Sequence, residues 1–129
     1  MSSAHQATRP TAAPEAGAVV TKAMLRAAER LGVNARELAG IIGLSEAGVS
    51  RLRKGALTLE PKTKAYELAV LFIRLFRSLD AITGGDETVA RAWLRNDNAA
   101  LQEKPAEAIG TVVGLVGVID YLDARRALV

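Results

Sequence analysis

One stretch of the chain, residues 38–55, constrains the fold more than any other, and it reads LAGIIGLSEAGVSRLRKG. Gly43 lies near its centre and can adopt the positive φ of a tight turn without a side-chain clash. Ser45 follows at the position of a helix cap, and apolar residues recur on both sides of the turn at helical spacing. The stretch therefore predicts two short helices joined by a tight turn.

This pattern is typical of a helix-turn-helix, in which the second helix stands proud of the surface and enters the major groove of DNA. Ala39 is small enough to let the two helices meet, and Leu44 is placed to fill the turn. Val49 and Leu52 give the second helix an apolar back face. The alternative interpretation is a generic helical hairpin with solvated charges.

The predicted DNA contacts lie on the opposite face of the second helix and beside it. They are Arg36, Ser45, Glu46, Ala47, Ser50, Arg51, Arg53 and Lys54. Arg51 can reach a guanine edge or a phosphate, and the flanking cations are expected to bind phosphates. Because Ala47 reads little and Gly48 weakens the helix by about 1 kcal/mol relative to Ala, we expect binding as a dimer or in a larger assembly.

Charge divides the chain into two halves. Residues 20–64 hold nine Lys and Arg against four Asp and Glu, which gives a net charge of +5. Residues 80–129 hold five against eight, which gives −3. The first half therefore suits a polyanion, and the second half suits a partner that is not strongly acidic.

Several classes of function are disfavoured by composition. The chain has no Cys and its one His is His5, so neither a thiolate nor a His-based metal site is expected, and we predict no cofactor. We find no phosphate-binding loop or nucleophile–base set, and we predict that the protein is not an enzyme. No apolar run reaches the roughly 18 residues of a membrane span, and no signal peptide is evident, so we expect a cytoplasmic protein.

Periodicity predicts an all-α chain. Residues 1–18 show no apolar repeat and are expected to form a disordered tail. Residues 19–79 are expected to form a DNA-binding domain with a long connecting helix, which starts near Pro61 and continues to Gly84-Gly85. Residues 80–129 are expected to form a second, smaller helical domain, with one helix from Asp86 and a last helical region from Pro105.

The last helical region has an unusual composition. Its apolar residues cover more than one face, and Gly110, Gly114 and Gly117 recur every three or four residues. The glycines indicate either tight packing inside the domain or a partner surface, and exposed apolar surface of this kind favours a protein interface. Trp93, the one Trp in the chain, is either a core residue or a contact for the same partner.

Two resemblances follow from these residues. The first segment is similar to the helix-turn-helix of Xre- and Cro-type repressors, with its pattern LAxxLGxSxxxVSRxxxG. Residues from about 79 to 129 resemble the toxin-binding domain of the Xre/MbcA/ParS antitoxin family. The residues that carry this second resemblance are Trp93, Leu94, Asn98, Leu101, Pro105, Thr111, Gly114, Val118 and Leu122.

The resemblance implies an antitoxin encoded beside a RES-domain toxin that attacks NAD. It implies that the C-terminal domain covers the active site of the toxin and that the helix-turn-helix binds operator DNA to repress the shared operon. The toxin contacts it implies are Trp93, Pro105, Thr111, Gly114, Val118, Leu122, Arg125, Arg126, Leu128 and Val129. The alternative is a plain dimeric repressor whose C-terminal half only dimerises.

Overall fold

The computed structural model describes residues 12–128, and this part of the chain forms α-helices and no strand, which confirms the predicted all-α class. The helices are α1 (Ala12–Leu31), α2 (Ala35–Ile42), α3 (Glu46–Arg53), α4 (Lys64–Ile82), α5 (Glu87–Arg95), α6 (Pro105–Ala108) and α7 (Val112–Arg126). An isolated β-bridge between Asn98 and Glu103 closes the turn between α5 and α6.

The first helix begins at Ala12, so the prediction of a disordered tail is wrong for residues 12–18, while residues 1–11 lie outside the described part. Small residues seat this end of α1 on the loop before α4. The Thr21 hydroxyl donates to the Gly17 carbonyl at 2.7 Å and accepts from the Leu59 amide at 3.0 Å. A Cβ atom on Gly17 would lie 2.2 Å from the Leu59 carbonyl oxygen. The start of α1 is thus held by backbone atoms and one hydroxyl instead of by regularly spaced apolar side chains. The sequence therefore shows no apolar repeat in this segment from which a helix could be predicted.

Local signals fix most of the other helix ends. Asn34 and Glu37 form the predicted capping box of α2, with hydrogen bonds of 2.8 and 3.0 Å. Asp86 caps α5, as its position before the helix indicated. The predicted start of α4 at Pro61 is wrong, because Thr63 caps this helix and its hydroxyl accepts from the Tyr66 amide at 3.2 Å.

The helix α4 is the centre of the molecule. Its residues Phe72, Leu75 and Leu79 are fully buried, and α1 and α7 are its main packing partners. One continuous apolar cluster joins residues from all seven described helices, so both halves of the chain share a core. Within residues 12–128, no helix is long and apolar enough to cross a membrane.

Candidate functional site

The turn between α2 and α3 has the predicted geometry. Gly43 adopts a φ of 75°, and its amide donates to the Ala39 carbonyl at 2.9 Å. The Leu44 amide donates to the same carbonyl at 3.0 Å. Ala39 is buried between the two helices. A larger side chain at this position would push the helices apart.

The helix α3 buries one face and leaves the other free. Gly48, Val49 and Leu52 point into the core. The free face holds most of the predicted DNA contacts, with Ser50 half-buried and the others exposed: Glu46, Ala47, Ser50, Arg51 and Lys54. Ser45 is exposed at the start of the helix, and its hydroxyl accepts from the Gly48 amide at 3.0 Å. This arrangement presents a short helix whose exposed side is polar and basic.

Two predicted contacts lie beside that face rather than on it. Arg53 points towards α1 and lines a concavity with Lys22 and Arg26. Arg36 lies in a different place, at the rim of a cleft of about 260 Å³ between α2 and the C-terminal residues Ala106 and Gly110. Five of the predicted DNA contacts therefore share the exposed face of α3, and Arg36 and Arg53 line two separate concavities beside it.

Two arginines of α5 attach the C-terminal half to the start of the helix-turn-helix. Arg91 donates to the carbonyls of Arg30 and Glu29, at 2.9 and 3.0 Å. Arg95 donates to the Gly32 carbonyl at 2.7 Å and to the Glu37 carboxylate at 2.9 Å. The hydrogen bond from Arg95 is the main cause that lowers the pKa of Glu37 below its ordinary value.

The last helix, α7, divides its apolar residues between core and surface. Val118 and Leu122 are each 1% exposed and pack with Leu115 and Ile119 towards α4. Pro105 is also buried, at the start of α6. The assignment of Pro105, Val118 and Leu122 to the toxin contacts is therefore corrected, because in this conformation they belong to the core of the chain itself and no partner can touch them.

The surface part of α7 is the opposite side. Val112 is 56%, Val113 84% and Val116 39% exposed, and Leu128 beyond the helix is 85% exposed. We call Val112, Val113 and Val116 the outer apolar patch, whereas Leu128 lies beyond the far end of α7, about 18 Å from Val116 at 1.5 Å per residue. Of the two explanations for the glycines, tight packing accounts for Gly114, since a Cβ atom there would lie 1.9 Å from the Ala108 carbonyl oxygen.

Two predicted toxin contacts, Trp93 and Arg125, both contact Tyr121, which was not predicted as a site residue. The Trp93 and Tyr121 rings stack at 6.3 Å between centroids and 18° between planes. Arg125 donates to the Tyr121 hydroxyl at 2.9 Å and lies 5.7 Å from the centre of its ring. Trp93 is half-buried, so it packs against the core and keeps one edge at the surface.

The remaining predicted toxin contacts lie apart from that group. Arg126 points to the other side of α7 from Arg125, towards Ser78, at 3.5 Å. Asp123 lies there too and accepts from Ser78 at 2.7 Å and from Arg74 at 2.6 Å. These hydrogen bonds lower the pKa of Asp123 below its ordinary value, and the bond from Ser78 has the largest effect.

Two further positions complete the predicted set. Thr111 caps α7, and its hydroxyl accepts from the Gly114 amide at 3.0 Å. Val129 lies outside the described residues.

The short, polar helix that follows a glycine turn on an all-helical bundle defines a DNA-binding protein of the helix-turn-helix class. Each half of the chain matches a different family model. The antitoxin Xre-like helix-turn-helix domain matches residues 10–74, and the antitoxin Xre/MbcA/ParS C-terminal toxin-binding domain matches residues 78–127. The chain therefore belongs to the Xre/MbcA/ParS-type antitoxins. Among curated proteins, none matches it.

Proposed function

We propose that this antitoxin neutralises a RES-domain toxin that targets NAD by covering its active site, and that it represses its own operon by binding operator DNA. The outer apolar patch is the observation that carries the toxin half of this proposal. It lies within a domain whose family binds toxins, and burying it requires a partner. The choice of a RES toxin rests on the sequence resemblance.

The surroundings of the outer apolar patch suit a protein partner. Gly117 is exposed beside it with nothing within 4 Å of a Cβ atom, so a partner can approach the backbone of α7 closely. Asp120 is exposed on this side of the helix, and Asp123, which is paired with Arg74, lies on the same stripe as Val112 and Val116. Tyr121 and Arg125 line an adjacent edge and provide polar contacts around an apolar centre, which is the usual anatomy of an interface. We place the toxin on this side of α7.

For DNA, we assign base contact to Arg51 and phosphate contact to Arg36, Arg53 and Lys54. A single short helix with Ala47 at its centre offers few base contacts, so the proposal includes a homodimer or a toxin–antitoxin complex that presents two such helices. We place this complex in the cytoplasm, where operator DNA and NAD are both found.

The toxin half is tested by co-expressing the full chain with the neighbouring RES-type toxin and measuring both pull-down and rescue of growth. Val113→Asp should lose toxin binding by at least 10-fold while the circular dichroism spectrum stays that of the wild type, because Val113 is 84% exposed. The matched control is Val19→Asp, a change at an apolar position on α1 that is 66% exposed; this variant should bind toxin normally. A folded Val113→Asp protein that still protects cells would contradict the placement.

The DNA half is tested separately by fluorescence anisotropy with the upstream region of the operon. Arg51→Ala should abolish specific retention, because a good bidentate base contact contributes about 1–3 kcal/mol of discrimination. Unchanged operator affinity would overturn this assignment. A chain that binds the operator but retains no toxin, and whose C-terminal half crosslinks to a second copy, would instead establish the plain dimeric repressor.

A further inference from the structure

A group of cations on α1 lies beside the end of α3. Lys22 and Arg26 are exposed one helical turn apart, and with Arg53 of α3 they line a single concavity of about 510 Å³. Among the ion pairs of residues 12–128, none includes Lys22, Arg26 or Arg53. Three positive charges thus lie close together, and none of them forms an ion pair within the described residues.

Four of the five residues that line this concavity are charged. Besides the three cations it contains Leu25, the one large apolar side chain, and Glu29, the one carboxylate. The neighbouring groove between α1 and α4 continues the positive charge, since Arg77 lines it together with the same Lys22 and Arg26. The cations therefore form a strip that runs from the end of α3 across α1.

The position of the strip relative to α3 identifies the anion. Arg53 follows Glu46 by seven residues, or nearly two full turns, so it lies on the edge of the free face beside buried Val49. The major groove is about 12 Å wide and a helix with its side chains about 10–12 Å across, so the edges of a helix in the groove meet the two phosphate walls. The Arg53 edge is continuous with Lys22 and Arg26.

We infer that Lys22, Arg26 and Arg53 form a phosphate-binding surface that extends the DNA interface from the helix-turn-helix onto α1. This inference rests on the proposed DNA binding and adds a second element to it. Phosphate is favoured over an acidic protein segment because the strip is continuous with α3, whose exposed face is polar and basic. Contacts of this kind strengthen binding to every sequence alike and increase its dependence on salt.

The experiment uses the full chain and a random-sequence DNA duplex of about 30 base pairs, with affinity measured by anisotropy over a series of salt concentrations. Each lost phosphate contact reduces the slope of log affinity against log salt by about 0.9. Lys22→Gln/Arg26→Gln should therefore lower the slope by about 2, and each single variant by about 1. The control Lys104→Gln removes one charge from an exposed residue of the C-terminal half and should keep the slope.

Glu29→Gln provides a test of opposite sign. It removes the one carboxylate of the concavity, so it should strengthen binding to the same duplex and leave the fold intact, because the Glu29 side chain is exposed. The inference requires that the cation variants bind the duplex more weakly than the wild-type chain and that Glu29→Gln binds it more tightly.

The outcomes separate this inference from the proposed function. If the wild-type chain binds the duplex and the double variant keeps its slope, the α1 surface is overturned while DNA binding stands. If the wild-type chain does not bind any duplex, the proposed DNA binding fails as well. A double variant with the wild-type slope but weakened toxin binding would assign the strip to an acidic segment of the toxin and would also overturn the inference.

Discussion

The helices α3 and α7 begin in the same way but tolerate different changes. Ser45 caps α3 and Thr111 caps α7, and each hydroxyl accepts from the amide of a glycine three residues later at 3.0 Å. A Cβ atom on Gly48 would meet its nearest neighbours at 3.4 and 3.5 Å, which are ordinary contacts. A Cβ atom on Gly114 would lie 1.9 Å from the Ala108 carbonyl oxygen. The same local motif thus contains a replaceable glycine in one half and an indispensable one in the other.

The difference between the two glycines comes from what precedes each helix. The turn before α3 is open, and Leu44 and Ser45 contribute the nearest atoms. Before α7 the chain has just left α6, whose last residue is Ala108, and a backbone carbonyl cannot move aside as a flexible side chain can. Capping is therefore a local property of the sequence, whereas the need for Gly114 depends on how α6 packs on α7.

The largest effect should come from exchanging these two glycines for alanine. Gly114→Ala must shift the α6–α7 junction, and we expect it to lower the free energy of unfolding by about 1–3 kcal/mol or more. Gly48→Ala should instead raise it by up to about 1 kcal/mol, because alanine favours a helix interior and the space is available. Urea unfolding followed by circular dichroism measures both. Equal changes of the same sign would show that α6 can adapt and would remove the contrast.

The helix-turn-helix was predictable from the sequence because each of its features depends on near neighbours. Gly43 adopts its positive φ, and Asn34, Glu37 and Ser45 cap as their types indicate. The last helix was less predictable, because α7 has apolar residues on all sides and only α4 determines which of them are buried. Val118 faces α4 whereas Val113 does not, and no local pattern distinguishes them.

The hydrogen bonds that join the two halves of the chain could not be predicted from the sequence either. Arg91 and Arg95 are separated by one turn on α5, a spacing that is common on solvated helices. Their partners Arg30, Gly32 and Glu37 lie about 60 residues earlier in the chain. No signal within a window of one helix could pair them, so the contact that joins the two functional halves emerged only from the structure.

A smaller effect is expected from breaking that attachment. Arg95→Ala removes hydrogen bonds to the Gly32 carbonyl and the Glu37 carboxylate, and we expect a loss of about 1–2 kcal/mol, since the guanidinium is partly exposed. A double-mutant cycle with Glu37→Gln isolates the pair. The control is Arg30→Ala, which breaks a 4.0 Å surface pair with Glu87 and should cost about 0–1 kcal/mol. A coupling energy of zero between Arg95 and Glu37 would show that this ion pair does not hold the two halves together, which leaves the shared core and the arginine bonds to backbone carbonyls.

The smallest effect should appear in acid, where the two halves lose stability through different carboxylates. The pKa of Glu37 is lowered mainly by Arg95 of the other half, and that of Asp123 mainly by Ser78 of α4. A carboxylate with a lowered folded-state pKa contributes stability above its unfolded pKa, about 4.3 for Glu and 3.9 for Asp. That contribution is lost as the pH falls through the still lower folded-state value. Urea midpoints between about pH 5 and pH 2 should therefore fall less steeply for Arg95→Ala and for Ser78→Ala than for the wild-type chain. If only Ser78→Ala flattens the curve, the Glu37 pair is open in solution, and the attachment of α5 to the helix-turn-helix is weaker than its geometry indicates.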